Sequence, residues 1–390
     1  MEELLSARPV YLDYNATTPV DPRVVEAIPG WLDEEFGNPS STHLFGRRAR
    51  AALDQAREEV AALIGAQPDE IIFTGSATEA NNLALLGLAD TLPGAGRHLV
   101  ISAVEHPSVA EPARRLEARG WRVTRVPVDR EGRLVVESLE AALTADTALV
   151  SVMYANNETG TLQPIEAVSA LTRERGILLH VDAAQAPGRV PLDVNAPQVD
   201  LLTLAGHKFH APKGVGALYV RRGVQPAPLL HGGGQERGLR PGTENLAWIR
   251  ALGLAATLAR EAVAHEAVHL LAMRDRLHRL LLQGVPGLAL NGHPELRLPN
   301  TLNVSFPGVQ GRILLARVGH LVAASTGSAC HGEGEEKGVL AAMGLSDERI
   351  RGAVRLSVGR FTTNQEVDRA AQVLIQAWRE AVGRHAGAVL

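Results

Sequence analysis

Three polar residues of this 390-residue chain stand at the ends of short apolar runs, and each has a side chain that can take part in chemistry. Apolar surroundings lower the pKa of a lysine and make its amine a nucleophile, so Lys208, after VDLLTLAGH, is a candidate. Asp182 ends GILLHVD, where a carboxylate can pair with a protonated pyridine nitrogen. His106 ends HLVISAVEH and can stack on a flat ring. The alternatives are a solvated lysine, a helix cap and a structural histidine.

The stretch FTGSATEANN (73–82) can hold a phosphate. Its small residues leave backbone N–H groups free at the start of a helix, where the helix dipole favours an anion. Thr78 adds a hydroxyl group. An ordinary N-cap with Glu79 in the first helical turn is the alternative. Together with Lys208, Asp182 and His106, a phosphate cradle describes a site for pyridoxal phosphate.

The single cysteine, Cys330, lies in GSACHGEGEEKG (327–338), which has the composition of a loop. The glycines permit movement, so a thiolate there could reach a bound substrate and then present the atom it has taken up. A buried small apolar side chain is the alternative. One cysteine excludes an intramolecular disulfide bond and a cysteine-based metal cluster, and it fits a reducing compartment. We predict no metal site.

The alternation of short apolar runs with amphipathic segments predicts an α/β fold, with a mostly parallel sheet flanked by helices on both faces. The predicted strands are 70–75, 98–106, 147–157, 176–185, 199–207 and 215–221, and the predicted helices include 78–92 and 164–176. Ligands of such sheets bind at the carboxyl ends of the strands. We therefore expect the polar residues that follow these strands to converge on one edge of the sheet.

The pattern changes after about residue 250. Residues 249–284 predict one long or kinked helix, and 310–320 predict another. The remainder has the pattern of a smaller C-terminal α/β domain. We predict a large cofactor-binding domain over 16–255 and a small domain made of 1–15 and 256–390, which carries the cysteine loop.

The composition is that of an ordinary globular protein, with 45% apolar and 21% charged residues. A net charge of −4 and the lack of a dense Lys/Arg block argue against a nucleic-acid partner. The start, MEELLSARPV, lacks the apolar core of a signal peptide, and no apolar run approaches the ~18 residues of a membrane span. We predict a cytoplasmic protein that does not associate with membranes.

Ten short motifs resemble those of the cysteine desulfurases and the closely related selenocysteine lyases, in the same order and nearly from end to end. They are YLDYNATTPVDP (11–22), GNPSS (37–41), ATEANN (77–82), EH (105–106), NNETG (156–160), HVDAAQ (180–185), GHK (206–208), GGGQERGLRPGTEN (232–245), GSAC (327–330) and RLSVGRFTT (355–363). The resemblance implies the aspartate-aminotransferase fold (the type I pyridoxal-phosphate transferase fold). It also implies pyridoxal 5'-phosphate as cofactor.

The resemblance implies a role for each matching residue. Lys208 would carry the cofactor as a Schiff base, Asp182 would pair with its ring nitrogen, and His106 would stack on the ring and shuttle protons. Arg355 would bind the substrate carboxylate, and Cys330 would be catalytic. Further contacts to the phosphate, to the phenolic oxygen of the cofactor or to the substrate would come from Ala77, Thr78, Asn157, Gln185 and His207.

The activity that the resemblance implies is the removal of sulfur from L-cysteine. Alanine would be released, and a persulfide on Cys330 would pass its sulfur to an acceptor such as an iron–sulfur scaffold or a thio-cofactor pathway. Thr243 would reach the phosphate bound by a neighbouring subunit, which implies a homodimer.

Two departures from the motifs bear on this reading. Ala205 stands where many cysteine desulfurases have a serine before GHK, so one phosphate contact is missing. The stretch after Cys330, HGEGEEKG, is short and acidic, and the Ala-Cys-His run is also similar to selenocysteine lyases. A selenocysteine lyase, a pyridoxal-phosphate aminotransferase and a non-catalytic protein with the same fold are the alternatives.

Overall fold

The computed structural model of the chain describes residues 8–92, 96–326 and 338–387. Its strands are β1 (Val10–Tyr11), β2 (Ile71–Thr74), β3 (His98–Ser102), β4 (Arg122–Val126), β5 (Thr147–Met153), β6 (Leu178–Asp182), β7 (Leu201–Ala205), β8 (Gly216–Val220), β9 (Ala289–Asn291), β10 (Thr301–Ser305), β11 (Val322–Ala323) and β12 (Ala353–Ser357). Its helices are α1 (Pro22–Ala27), α2 (Gly30–Asp33), α3 (Leu44–Leu63), α4 (Ala77–Thr91), α5 (Pro107–Glu117), α6 (Val136–Ala142), α7 (Ile165–Glu174), α8 (Leu246–Gly284), α9 (Gly311–Val318), α10 (Val339–Ala342), α11 (Asp347–Arg351) and α12 (Asn364–Gly387). Short 3-10 turns lie at Pro68–Glu70, Gly206–Lys208 and Gln235–Gly238.

The largest sheet has seven strands in the order β2-β8-β7-β6-β5-β3-β4. Strands β7, β6, β5, β3 and β4 are parallel neighbours, and β8 is antiparallel to both β2 and β7. Because β2 and β7 both oppose β8, β2 runs in the same direction as the parallel strands. The carboxyl ends of β2, β3, β5, β6 and β7 therefore lie at one edge. The predicted α/β fold with a mostly parallel sheet is confirmed.

Both faces of this sheet are buried, because successive residues along a strand point to opposite sides. Ile71 and Phe73 belong to a core that also contains residues of α3 and α8, whereas Ile72 between them belongs to a core with residues of α4 and α5. Burial on both sides explains why these strands are apolar along their whole length.

A second, smaller part of the fold has its own apolar core. Strands β9, β10 and β12 form an antiparallel sheet in the order β12-β10-β9, and β1 pairs in parallel with β11. Helix α8 contributes buried residues to both parts, with Ala259 in the core of the large sheet and Leu270 in the smaller one. The proposed boundary at 255/256 falls inside this helix.

Each of the predicted strands and helices corresponds to an observed element, with differences at their ends. The sequence predicted either a long or a kinked helix over 249–284, and α8 is one continuous helix. The strand predicted over 98–106 ends at Ser102, and the one predicted over 147–157 ends at Met153. The residues beyond those ends form turns whose polar groups make side-chain contacts. Strand β4 was not predicted, because RVTRV at the edge of the sheet is neither a continuous apolar run nor a strict alternation of polar and apolar residues.

Within the described ranges, no helix is both long and apolar enough to cross a membrane. The same part of the chain has no group of His, Cys, Asp or Glu side chains arranged to hold a metal ion.

Candidate active site

Lys208 and Gln185 meet at the backbone of the N-terminal segment. Lys208 ends the 3-10 turn that follows β7, and Gln185 lies shortly after β6. Lys208 Nζ donates to the carbonyl oxygens of Asn15 (2.6 Å) and Ala16 (2.9 Å), and the Gln185 amide donates to the same Asn15 oxygen (3.0 Å). Asn15 therefore joins side chains that come from two different strand ends.

The environment of Lys208 favours its neutral amine. Burial lowers its pKa from 10.5 to about 7, and the positive charges of Arg189 and Arg355 act in the same direction. The carboxylates of Asp13 and Asp182 oppose this shift without cancelling it. A neutral amine has a free lone pair, so Lys208 can serve as a nucleophile or a base near neutral pH.

Asp182 and His106 are connected by hydrogen bonds through two buried side chains. Asp182 is the last residue of β6 and is 6% exposed. Asn81 Nδ2 lies 2.8 Å from both Asp182 Oδ2 and Ser108 Oγ, and Ser108 Oγ lies 2.8 Å from His106 Nδ1. His106 is exposed and caps α5, where its Nδ1 accepts the backbone N–H of Ser108 (3.1 Å). These bonds bridge the ends of β6 and β3.

Arg355 lies in the middle of β12 and is held from two sides. Its Nη1 donates to the Asn157 carbonyl (3.0 Å), and its Nη2 donates to the Asp13 carboxylate (2.8 Å). Asn15 Nδ2 donates to the same Asn157 carbonyl (3.1 Å). The Arg355 Nε is buried and has no hydrogen-bond partner among the described residues. Each terminal nitrogen carries a second N–H, so a guanidinium held in this way keeps donors for an incoming carboxylate.

Helix α4 begins at the same edge of the sheet. Ser76 caps it by accepting the Glu79 N–H at 3.1 Å, and Ala77 and Thr78 form its first turn. Gly216 lets β8 lie close to the start of α4, since a Cβ on this residue would lie 2.9 Å from the Ser76 carbonyl carbon and 3.0 Å from the Ala77 nitrogen. The positive end of the helix dipole makes this turn a suitable place for a phosphate.

His207 is held in its neutral form. Its Nδ1 lies 3.1 Å from Thr17 Oγ1. Burial lowers its pKa to about 4, and the nearby charges of Lys208 and Lys213 add to this shift. A neutral imidazole can exchange hydrogen bonds with a ligand but brings no positive charge.

Three residues singled out in the sequence lie apart from these contacts. Thr243 is exposed, in a segment tied to α4 by the ion pair between Arg240 and Glu79 (3.0 Å). Ala205 is buried at the end of β7. Cys330 and the rest of its predicted loop lie outside the described residues.

Several residues that make these contacts had no role predicted from the sequence: Asp13, Asn15, Asn81, Ser108 and Arg189. Asp13 and Asn15 stand in the motif YLDYNATTPVDP, and Asn81 stands in ATEANN, so the motifs contained a signal. Arg189 had none. It is buried and donates to the Gln185 side chain and to the Gln185 carbonyl (3.0 Å).

Comparison with known proteins places the chain in a family. The family model for aminotransferase class-V matches residues 10–370, and the chain belongs to that family. It is 47% identical over 367 residues to a protein from Trichormus azollae named cysteine desulfurase, and the matched region covers 94% of this chain and 92% of that protein. It is 46% identical over 376 residues to a cysteine desulfurase IscS from Anaeromyxobacter sp. (strain Fw109-5), with 95% and 93% of the two chains covered.

A solved structure described as a NifS-like protein matches the fold with a TM-score of 0.90 and 39% identity, covering 95% of this chain and 99% of that one. The predicted family resemblance and the type of fold that it implies are confirmed.

Proposed function

We propose that the protein is a cysteine desulfurase that uses pyridoxal 5'-phosphate and forms a persulfide on Cys330. The observation that carries this proposal is the position of Lys208 at the end of β7, with a pKa lowered to about 7, in a chain whose relatives are named cysteine desulfurase. L-Cysteine is the proposed substrate, and alanine is the proposed product.

The side chains at this edge of the sheet fit pyridoxal 5'-phosphate. Lys208 offers an amine for the aldehyde, and the Asp182 carboxylate is a buried acceptor for a ring N–H. His106 is exposed, so its ring can stack on another ring. The first turn of α4 offers the backbone donors of Ala77 and Thr78 to the phosphate. Gln185, Asn157 and His207 supply the remaining proposed contacts.

When bound, the cofactor withdraws electrons from the substrate Cα and weakens the bonds beside it. The Arg355 guanidinium binds the substrate carboxylate and orients the amino acid, a task that suits its planar fork of donors. The neutral amine of Lys208 takes the proton from Cα. These roles require Arg355 to stay charged and Lys208 to be neutral, and burial of Lys208 beside two arginines favours the second condition.

Cys330 takes up the sulfur in the proposed reaction. Its thiolate attacks the sulfur of the substrate, so that a new S–S bond forms as the substrate Cβ–S bond breaks. Cβ receives a proton, and alanine leaves. Cysteine plus one enzyme thiol thus gives alanine plus one enzyme persulfide, and no external oxidant or reductant is needed. A thiol or an acceptor protein, such as an iron–sulfur scaffold, then removes the outer sulfur.

We also propose that the enzyme is a cytoplasmic homodimer. Thr243 is exposed in this chain. A residue that contacts the phosphate bound by a partner subunit has to be exposed before the subunits assemble. The Arg240–Glu79 ion pair fixes its segment next to α4 of its own subunit.

The test is the release of alanine and sulfide from L-cysteine in the presence of a thiol reductant, with wild type and Cys330→Ala compared and L-selenocysteine run in parallel. We expect wild type to form both products and the variant to lose them while it keeps the absorbance of the bound cofactor. Cleavage of selenocysteine alone would replace the proposal by a selenocysteine lyase. Conversion of a keto acid without sulfide would replace it by an aminotransferase.

A further inference from the structure

We infer that Asn81 and Ser108 are positioning residues that hold His106 in the tautomer with its proton on Nε2, and that they link this tautomer to the carboxylate of Asp182. The meaning of this link for catalysis rests on the proposed function. The geometry that carries the inference does not.

The direction of the first bonds follows from the chemistry of Asp182. An ionised carboxylate can only accept hydrogen bonds, so the Asn81 atom 2.8 Å from Asp182 Oδ2 must be the amide nitrogen. The same nitrogen lies 2.8 Å from Ser108 Oγ and uses its second hydrogen there. Asn81 is completely buried, and its Oδ1 has no partner among the described residues. The unsatisfied oxygen is the cost of turning the nitrogen towards Asp182.

The direction of the next bonds follows from the backbone of Ser108. A backbone N–H can only donate, and that of Ser108 points to His106 Nδ1 at 3.1 Å. Nδ1 must therefore be unprotonated. Ser108 Oγ accepts from Asn81, so its own hydrogen is available for the same Nδ1 at 2.8 Å. Two donors converge on Nδ1, and the proton of the neutral ring lies on Nε2.

This arrangement limits what His106 can do. The neutral ring can donate a hydrogen bond through Nε2. It can take up a proton only at Nδ1, which would break the bond from the Ser108 N–H and reverse the bond with the Ser108 hydroxyl. We therefore assign His106 the role of a hydrogen-bond donor instead of a base, which refines the proton shuttling expected from the sequence. The negative charge of Asp182 fixes the orientation of Asn81 and, through it, that of the Ser108 hydroxyl.

The first test is nitrogen NMR of the full-length, cofactor-loaded protein with ¹⁵N-labelled histidine at neutral pH. The signals of His106 are those that disappear in His106→Gln. We expect Nε2 to be protonated and Nδ1 unprotonated in wild type. The control is Ser169→Ala, which should give the same signals, because the buried Ser169 hydroxyl donates to the Gln198 carbonyl (2.8 Å) and takes no part in the contacts of His106. A proton on Nδ1 would overturn the inference.

The second test measures the link to Asp182 by cofactor dissociation constants for Ser108→Ala, Asn81→Leu and the double variant. We expect Ser108→Ala to weaken cofactor binding about 2–10-fold and Asn81→Leu roughly 10–100-fold, since the latter also removes a bond to a charged group. The double variant should lose less than the product of the two factors, because both single changes break the same Asn81–Ser108 bond.

Fully multiplicative losses would show that the two residues act separately and would refute the link. If Asn81→Leu does not fold, the comparison is made with Asn81→Ala. Neither test uses turnover. A failure of sulfide production would therefore contradict the proposed function and leave both results standing.

Discussion

Asp13 and Arg355 form an ion pair with 2.8 Å between Oδ1 and Nη2, and the Arg355 side chain is almost completely buried. The pair ties the N-terminal segment to the middle of β12. The other terminal nitrogen of Arg355 donates to the Asn157 carbonyl at 3.0 Å. The guanidinium is thus held in one position by Asp13 and Asn157. Under the proposed function, a substrate carboxylate would meet an ordered partner, and less entropy would be lost on binding.

Replacing Arg355 by lysine should raise the KM for L-cysteine. The donors of an ammonium group all lie on one nitrogen, so lysine cannot reproduce the planar fork with which Arg355 reaches Asp13, Asn157 and a substrate carboxylate. We expect KM to rise about tenfold or more, with a smaller change in kcat. Steady-state kinetics of Arg355→Lys against Arg351→Lys, an exposed arginine at the end of α11, would measure this. An unchanged KM would remove Arg355 from substrate binding.

Capture of the cofactor by Lys208 should depend on pH with a midpoint near 7, since burial and two arginines lower its pKa to about 7. The fraction of free amine, and with it the rate at which the cofactor-free protein takes up pyridoxal phosphate, should rise as the pH passes through that value. The sequence has lysine only at 208, 213 and 337. Borohydride reduction and peptide mass spectrometry can therefore locate the adduct without ambiguity.

The control for this measurement is Lys213→Ala, which removes an exposed lysine five residues away and should behave as wild type. Lys208→Ala should form no adduct at all. A midpoint close to 10, the ordinary range of a solvated lysine, would contradict the effect of burial.

Replacing Glu105 by glutamine should remove a loss of stability that wild type undergoes as the pH rises from about 4.5 to 8. The residue keeps some exposed surface, but its Oε2 is buried without a partner in the described part of the chain, while Oε1 accepts from Ser102 Oγ (2.5 Å) and the Met153 N–H (2.9 Å). Burial raises its pKa from 4.5 to about 8. The folded protein therefore binds a proton that the unfolded chain releases above about pH 4.5.

The sign of the effect follows from that difference. Between pH 4.5 and 8 the folded state holds more protons at Glu105 than the unfolded state, so this group's contribution to stability falls as the pH rises. Glutamine stays neutral and loses nothing. Melting temperatures of wild type and Glu105→Gln should therefore diverge in favour of the variant from pH 5 to pH 8. Parallel curves would mean that Glu105 is ionised in the folded protein.

Replacing Arg360 by methionine should destabilise the protein strongly. Its guanidinium donates to Asp21 (2.6 Å) and Glu266 (2.7 Å), whose side chains are only 2% and 9% exposed. Removing the cation leaves the buried Glu266 carboxylate without a charged partner among the described residues, which costs about 3 kcal/mol of the free energy of unfolding. Arg276→Met is the matched control, because both side chains of the Arg276–Asp368 pair are exposed and its loss should cost much less. Urea unfolding compares the two, and equal losses would contradict the prediction.

The sequence predicted the large sheet well because its strands are short, apolar and regularly separated by helices. It also pointed to Lys208, Asp182 and His106, since a polar residue at the end of a buried strand is conspicuous. It could not predict how these residues are connected. Asn81 is 101 positions from Asp182 and 27 from Ser108, and only the folded sheet brings them together.

The N-terminal segment shows the same limit. Asn15 contacts Lys208 and Gln185 through its backbone carbonyl, and a carbonyl is present at every position of a sequence. The pairing of Asp13 with Arg355 joins residues 342 positions apart, and it depends on β12 lying beside the start of the chain. Such contacts follow from the topology and leave no local pattern of residue types.

The continuous helix α8 has a consequence for how the protein unfolds. Its first part is buried in the core of the large sheet up to Ala259, and its last part is buried in the smaller core from Leu270 onwards. If either core unfolds, one end of α8 loses its packing while the other end stays packed. The two ends are joined by about ten residues with continuous backbone hydrogen bonds, so unfolding at one end can spread along the helix. The helix therefore couples the two cores, and the amides between Ala259 and Leu270, which lie in neither core, should exchange with solvent at least as fast as those of the less stable core.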